Sequence, residues 1–249
     1  PRGMATFFQK MQETTRLYYT ANIPPILRSH PLDDERIAEA LNRIGPKEAK
    51  THPDSLSYLL FKEKIRVESS QDNSNVLINY YKKECATHKT TACLYGLSLA
   101  YIKGNQPQKA LNLLDPILEE HPKVEDFIIA KAVAEIDSHQ VQQGLTRLAN
   151  YHALFPLSYP TTLYYTQALL DSGEVTQSLG LLMKARRLYP KDLMVCESLA
   201  RAQAQTHKKG YAYLTLAQCL KMQGYYREAY RQLRAAQNYT QKDLSLIHI

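Results

Sequence analysis

The 249-residue chain has no tryptophan, only nine glycines, and no Gly/Ser-rich or single-charge tract, so nothing in it indicates a long flexible linker. No apolar run approaches the roughly 20 residues that a helix needs to cross a bilayer. The catalytic signatures HExxH, GxSxG and the phosphate-binding loop are all missing. We therefore expect no catalytic activity from this chain and expect it to be a binding module.

Cysteine is scarce, and its spacing argues against a zinc ribbon or a thioredoxin-like site. The four residues Cys85, Cys93, Cys196 and Cys219 form no CxxC pair. Cys85 and Cys93 flank a predicted helix-to-helix turn and could form a disulfide in an oxidising compartment. The interpretation favoured by the sequence is nevertheless buried free thiols.

Acidic residues are few in the second half of the chain. The formal net charge is +7, and between residues 184 and 234 eleven Lys or Arg stand against three acids. Such a region can attract nucleic acid, anionic lipid or acidic protein segments. The simpler reading is a solvated helix face. RNA binding is the weakest alternative, because no recognised pattern of interleaved aromatic and basic residues is present.

An internal repeat of 34 residues is the strongest feature of the sequence. Pro122, Pro156 and Pro190 mark it. Two leucine columns and one column of small residues keep the same step: Leu111, Leu145 and Leu179; Leu114, Leu148 and Leu182; Ala110, Gly144 and Ser178. Small residues let two helices approach closely, leucines fill the space between them, and the proline ends the second helix. The pattern predicts stacked helix hairpins.

The repeat resembles the tetratricopeptide family in length and residue types, most clearly over 91–124 and 159–192. The unit 125–158 is degenerate, because Lys131 and Glu135 stand where large apolar residues are usual. The signature of the last unit, starting at 210, is half a repeat out of frame. We interpret residues 193–206 as one extra helix, paired with a helix that begins near Lys208.

The predicted fold is all-α: a tetratricopeptide-type α-α superhelix, or solenoid, preceded by two helices. Residues 1–45 lie outside the repeat, and 46–90 form a linker and an atypical capping hairpin. Residues 91–243 are the repeats, and 244–249 are a tail that continues no pattern. Aromatic and β-branched residues run along both helices of the hairpin: Tyr58, Phe61, Ile65, Val76, Tyr80 and Tyr81.

Residues 1–45 resemble the end of the protease domain in the periplasmic beta-barrel assembly-enhancing proteases, HExxH zinc metallopeptidases with C-terminal tetratricopeptide repeats. The residues that carry the resemblance are Pro1-Arg2-Gly3-Met4, Phe7, Phe8 and Met11, then Pro24-Pro25-Ile26-Leu27-Arg28-Ser29-His30-Pro31-Leu32 with Arg36, Ile37 and Ala38. The chain also opens without an initiator methionine, so we expect it to be a piece of a longer polypeptide.

The resemblance implies a periplasmic location, with zinc in the full-length parent and no cofactor in this chain. It implies that the repeats dock unfolded or assembling outer-membrane beta-barrel proteins and their assembly machinery. No nucleic acid partner is expected. The alternative is a freestanding tetratricopeptide co-chaperone or scaffold that binds peptide segments and has no link to a protease.

Candidate groove residues follow from helical spacing. Positions 3, 4 and 3 residues apart on the first helix of a repeat share the concave face of the solenoid. The four positions are Ala92, Tyr95, Leu99 and Ile102 in one unit and Pro160, Leu163, Gln167 and Leu170 in another, and the last three of each are the candidates. With 18 tyrosines in the chain, they suggest a groove for extended apolar segments.

His30 is the one candidate metal ligand. It precedes Pro31 at a predicted helix N-terminus, where the helix dipole favours the neutral ring that binds metal. By resemblance this loop lies against the protease cleft, so we hypothesise that His30 reaches the zinc of the full-length protein. There it would either complete the zinc shell or occupy the water position and hold the enzyme silent. The alternative is a capping or packing role. The scattered histidines are interpreted as surface or packing residues: His52, His88, His121, His139, His152 and His207.

Overall fold

A computed structural model describes residues 2–15, 33–43 and 53–240. These ranges contain thirteen α-helices and no strand, and they divide into two compact units, Pro1–Ser55 and Leu56–Ile249. The predicted all-α class is confirmed. None of the helices in the described ranges has the length and apolar character needed to cross a membrane.

The described residues of the first unit form two helices, α1 (Arg2–Thr15) and α2 (Asp33–Asn42), which pack against each other. Ala5 is buried, and the guanidinium of Arg36 lies 5.6 Å from the centroid of the Phe8 ring. This contact joins α2 to α1 through a cation–π interaction. The predicted tail, 244–249, lies outside the described residues.

Up to residue 240, where its description ends, the second unit is built from eleven helices, most of them in two alternating series. The first series, which we call the A helices, is α3 (Leu56–Ser69), α5 (Thr91–Lys103), α7 (Glu125–Asp137), α9 (Tyr159–Asp171) and α11 (Leu193–Gln205). The B helices are α4 (Ser74–Thr87), α6 (Pro107–Glu120), α8 (Val141–Leu154), α10 (Val175–Leu188) and α12 (Lys209–Met222), and α13 (Tyr226–Thr240) follows. Each helix packs on its neighbours in sequence, except that α3 packs mainly on α5.

The predicted columns of small and leucine residues form the interior of the hairpins. Ala110 and Ser178 are fully buried, and a Cβ added to Gly144 would lie 2.6 Å from the carbonyl oxygen of Ala132. The leucines of the second column, Leu114, Leu148 and Leu182, also have no exposed surface. Close approach of A and B helices at the small residues lets these leucines fill the space between repeats.

A left-handed residue occurs in the A-to-B turn of four successive repeats, one every 34 residues. The positions are Asn105 (φ 54°), His139 (φ 64°), Gly173 (φ 86°) and His207 (φ 61°). Positive φ is costly for residues other than glycine, with asparagine and histidine among the better tolerated. Two of the scattered histidines therefore close turns.

We expect Gly173→Ala to lower the free energy of unfolding by about 1 kcal/mol, because alanine is strained at φ 86°. Gly180→Ala is the matched control: it lies inside α10, and neither glycine has an atom within 4 Å of an added Cβ. There alanine should stabilise by about 1 kcal/mol through helix propensity. Urea unfolding measures both changes, and shifts in the same direction would contradict the assignment of the turn.

The helices keep the 34-residue step through α11 and α12, although the signature residues shift by half a unit. α11 and α12 begin at Leu193 and Lys209, each one full repeat after α9 and α10. The helix predicted at 193–206 is thus the A helix of a regular hairpin, and α12 packs on both α11 and α13. Only the residue pattern, and not the helix positions, is out of frame.

The degenerate unit replaces an apolar contact with an ion pair. Glu135 is 2% exposed, and its carboxylate accepts hydrogen bonds from Nε (2.9 Å) and Nη2 (2.6 Å) of Arg147. One repeat earlier and later, the equivalent pairs are Tyr101–Leu113 and Leu169–Leu181, both within apolar clusters. The charged residues are accommodated because they pair across the hairpin.

The outer face of the first hairpin is apolar. Among the aromatic and β-branched residues that run along it, only Tyr81 is buried; Tyr58, Phe61, Ile65, Val76 and Tyr80 are exposed. The hairpin packs instead through Leu60, Val67, Leu77 and Ile78. Capping repeats usually have a polar outer face, and the capping role of α3–α4 stays a prediction.

The cysteines form two disulfides, so the expectation of free thiols is wrong. Cys85 of α4 is bonded to Cys93 of α5, with Cα atoms 5.7 Å apart. Cys196 of α11 is bonded to Cys219 of α12, with Cα atoms 5.8 Å apart, and both residues are fully buried. The sequence could not show the second pair, because residues 23 apart meet only when the two helices fold back on each other.

Candidate functional site

The A helices α3, α5, α7 and α9 surround a groove with a volume of about 350 Å³. Its apolar floor consists of Val67, Leu99, Ile102, Ile129, Ala130 and Val133. Its other lining residues are Lys64, Glu68, Tyr95, Lys103, Asp126 and Tyr164. An apolar floor with a few polar groups at its rim is the usual composition of a binding site.

The position of the groove follows from the repeat. Ile129 and Val133 of α7 stand one repeat after Tyr95 and Leu99 of α5, so the same face of each A helix points into the concave side. Leu99 and Val133 are half-buried and present apolar surface to the groove. Stacking of the hairpins thus turns a periodic pattern into a continuous apolar strip.

Two lysines shape the rim of the groove. The Nζ atom of Lys64 lies 5.3 Å from the centroid of the Tyr164 ring, so α3 reaches across the groove to α9 through a cation–π contact. Lys103 donates hydrogen bonds from Nζ to the carbonyl oxygens of Val67 (2.8 Å) and Ser70 (2.9 Å). Lys103 therefore satisfies the C-terminal carbonyls of α3 and fixes this helix against α5.

A polar pair lies at the wall of the groove, where Tyr95 is buried and Asp126 is half-buried. Burial raises the pKa of the Tyr95 hydroxyl, and the neighbouring Asp126 carboxylate, to which it is hydrogen-bonded, raises this pKa further. Burial also raises the pKa of Asp126, and the ammonium of Lys64 partly opposes that shift. Tyr95 therefore stays protonated at neutral pH, and its hydroxyl donates the hydrogen bond that holds the Asp126 carboxylate in place.

The first trio of predicted groove residues comes together in the structure. Tyr95, Leu99 and Ile102 all line the groove. Tyr95 is only 1% exposed and also belongs to the core, where its ring lies 5.4 Å from that of Phe127. Leu99 and Ile102 therefore offer most of the apolar surface of α5 to a ligand.

The second trio is placed differently. Leu163 and Gln167 are half-buried on α9 and lie outside the groove lining. Leu170 is 3% exposed and packs in the core with Leu179 and Leu182. Equivalent repeat positions do not have equivalent roles here, because α10 and α11 cover the end of α9.

The concave side becomes polar towards the C-terminus. The same position in four successive repeats is occupied by Leu99, Val133, Gln167 and Arg201. The carboxylate of Asp171 accepts hydrogen bonds from Nε2 of Gln167 and Nη2 of Arg201, both at 2.6 Å. The apolar floor of the groove therefore ends at α7, and a polar network continues the concave side.

Sequence reasoning missed the contributions of α3 and α7. Lys64, Val67 and Glu68 were assigned to a capping hairpin, and Ile129 and Val133 to the degenerate unit. The 34-residue register with Tyr95 and Leu99 would have identified Ile129 and Val133. The role of α3 depends on its packing against α5, for which the sequence contains no signal.

The described residues offer no place for a metal ion. In residues 2–15, 33–43 and 53–240, no three His, Cys, Asp or Glu side chains are grouped so that they could hold one. His30 lies outside the described residues, so its predicted contact with zinc stays a prediction. We derive no metal chemistry from the described part of the chain.

Comparisons with known proteins agree with the resemblance. The chain is 24% identical over 228 residues to the beta-barrel assembly-enhancing protease of Yersinia pestis, which covers 90% of this chain and 46% of the relative. It is 23% identical over 213 residues to the protein of that name from Escherichia coli (strain K12), and the match covers 84% of this chain and 43% of the relative. The chain spans less than half the length of these relatives. No protein-family model matches it.

Solved structures confirm the fold. A thermophilic TPR protein from Thermus thermophilus aligns over 73% of this chain and 98% of its own length, with a TM-score of 0.56 and 13% identity. The structure of MamA 41-end from Desulfovibrio magneticus RS-1 aligns over 70% of this chain and 97% of the MamA chain, with a TM-score of 0.51 and 14% identity. The chain is a tetratricopeptide-type solenoid similar to part of the assembly-enhancing proteases, which supports a protein-interaction repeat module.

Proposed function

We propose that this chain is the substrate- and partner-docking module of a periplasmic zinc metalloprotease that acts in outer-membrane beta-barrel assembly and quality control. The observation that carries the proposal is the apolar groove formed by α3, α5, α7 and α9. The similarity to beta-barrel assembly-enhancing proteases over 90% of the chain supplies the protease context. Catalysis would belong to a part of the protein outside this chain.

The chemistry of the groove suits an extended segment of an unfolded barrel protein. Strands of outer-membrane barrels alternate apolar and polar residues, so an extended segment has one apolar side and one polar side. The apolar side can lie on Leu99, Ile102 and Val133, while polar side chains and backbone face Lys64 and Glu68 at the rim.

The two disulfides support a periplasmic location. Disulfides persist in oxidising compartments such as the bacterial periplasm and are rare where thiols are kept reduced. Both pairs in this chain join neighbouring helices of the solenoid, Cys85–Cys93 and Cys196–Cys219. This support is independent of the similarity to the proteases.

Replacing Leu99 and Ile102 together with serine should weaken capture of an alternating apolar peptide by about tenfold, because two apolar contacts with the ligand are lost. Tyr95 is left unchanged, since it is a core residue. Fluorescence anisotropy with a labelled synthetic peptide measures the dissociation constant, and far-UV circular dichroism should stay constant.

The matched control is Phe61→Ser with Ile65→Ser, an apolar pair exposed outside the groove lining. This control should bind the peptide as the unmodified chain does. Equal affinity of the groove variant and the unmodified chain would contradict the proposal. So would a loss of affinity in the control alone.

The second candidate function is a freestanding co-chaperone or scaffold. The apolar groove favours peptide docking in either case. The residues encoded upstream of Pro1 discriminate the two: an HExxH helix followed by a glutamate supports the protease module, and any other upstream sequence supports the scaffold.

A further inference from the structure

Large apolar side chains protrude from two successive B-to-A turns of the solenoid. We call this surface the apolar edge, and its exposed members are Leu154, Phe155, Leu157, Leu188 and Met194. Leu154 and Leu157 are 73% and 70% exposed, more than any apolar residue of the groove. Exposed apolar groups that cluster in this way indicate an interaction surface.

The repeat itself does not require apolar residues here. In the preceding B-to-A turn, between α6 and α7, Glu120 stands at the position of Leu154 and Leu188, and Lys123 at that of Leu157. That polar turn supports the same helix hairpin. Because the exposed leucines add nothing to the core, the fold gives no reason for them.

The two apolar turns form one continuous surface. Tyr189 donates a hydrogen bond from its hydroxyl to the carbonyl oxygen of Leu157 at 3.1 Å. The rings of Tyr159 and Tyr189 meet edge to face, with centroids 5.0 Å apart. Nη1 of Arg186 donates to the carbonyl oxygen of Pro190 at 2.5 Å, which fixes the second turn.

Positive charge surrounds the apolar edge. Lys184, Arg187 and Lys191 are exposed beside it on α10 and the following turn, and they take part in none of the ion pairs found in the described residues. Between residues 138 and 191 the only acids are Asp171 and Glu174, at the A-to-B end of the hairpin. The edge is therefore strongly basic for its size.

The acids that border the edge are already engaged. Asp192 accepts hydrogen bonds from the backbone N–H of Val195 (2.8 Å) and from the hydroxyl of Tyr159 (2.7 Å). Glu125 accepts hydrogen bonds from the hydroxyls of Ser158 and Thr161. These contacts hold the starts of α7, α9 and α11 together.

We propose that the apolar edge binds the surface of an anionic phospholipid bilayer. Its leucine, phenylalanine and methionine side chains would insert between lipid headgroups, while Lys184, Arg187 and Lys191 would contact the phosphates. A lipid surface is favoured over a peptide because the apolar groups protrude from turns and line no groove. The charge complementarity identifies the lipid as anionic. This proposal does not depend on the function of the groove.

The test is co-sedimentation of the full chain with vesicles of phosphatidylglycerol and phosphatidylethanolamine, compared with vesicles of phosphatidylcholine alone. The chain should bind only the anionic vesicles. Leu154→Ser with Leu157→Ser should lower the partition coefficient by about tenfold, and Lys184→Gln with Lys191→Gln should do the same. High salt should weaken binding, because it screens the charges.

The matched control is Tyr226→Ser with Tyr230→Ser on α13, an exposed aromatic pair beside Arg227 and Arg231. This control should bind anionic vesicles normally. Absence of vesicle binding, or an equal loss in the control, would overturn the proposal. If the leucine variant loses peptide capture but keeps vesicle binding, the edge docks protein and the proposal also fails.

Discussion

Replacing Arg147 with leucine is expected to lower the free energy of unfolding by about 3–5 kcal/mol. Glu135 would be left without its partner at a site where its side chain is 3% exposed. A buried carboxylate without a partner loses its hydration and gains nothing in return. This is the largest effect on stability that we expect from a single substitution in the repeats.

The double variant Glu135→Leu with Arg147→Leu is the control, and it should be as stable as the unmodified chain or more so. Leucines already form the equivalent pair in the next repeat, Leu169 and Leu181. Replacing a buried ion pair with apolar residues of similar volume is often neutral or stabilising.

Urea unfolding gives the midpoints, and amide hydrogen exchange locates the change in α7 and α8, since solenoid repeats open separately. If Arg147→Leu alone leaves stability unchanged, the ion pair is not formed in solution. If the double variant is as unstable as the single one, the pair has a role beyond charge compensation.

Removing the disulfide between Cys196 and Cys219 should lower the free energy of unfolding by about 3 kcal/mol. The bond closes a loop between residues 23 apart and thereby restricts the unfolded chain. Alanine is the suitable replacement at both positions, because the two cysteines are fully buried and a hydroxyl there would need a new partner.

The shorter loop supplies a graded comparison. Cys85 and Cys93 are 8 residues apart, so removing this bond should lower the free energy of unfolding by about 2.5 kcal/mol, less than removal of the bond that closes the longer loop.

In chain purified from an oxidising compartment, alkylation under denaturing, non-reducing conditions should modify no cysteine, as read by intact mass. Four alkylated thiols would contradict both disulfides.

The helix positions were predictable because the 34-residue repeat is a local signal. The step between Pro122, Pro156 and Pro190 places each B-to-A turn, and the structure has its turns there. The half-unit shift after 193 was a shift of signature residues only. Helices form where apolar spacing allows, and they do not need the family signature at every position.

The groove was predictable only in part. Tyr95, Leu99 and Ile102 were identified because helical spacing puts them on one face. Leu170 has the same spacing but is buried, since its surroundings depend on how α10 and α11 cover the end of α9. Spacing defines a face of a helix, but neighbouring repeats decide whether that face is open.

The sequence by itself determined the all-α class, the repeat length, the small and leucine columns and the resemblance to assembly-enhancing proteases. These features depend on residues close in the chain, where helical periodicity acts directly. Only the tertiary structure decided the rest: the pairing of Cys196 with Cys219, the ion pair of Glu135 with Arg147, and the reach of α3 across the groove. Such contacts form between helices, and their geometry follows from stacking rather than from the pattern of any one helix.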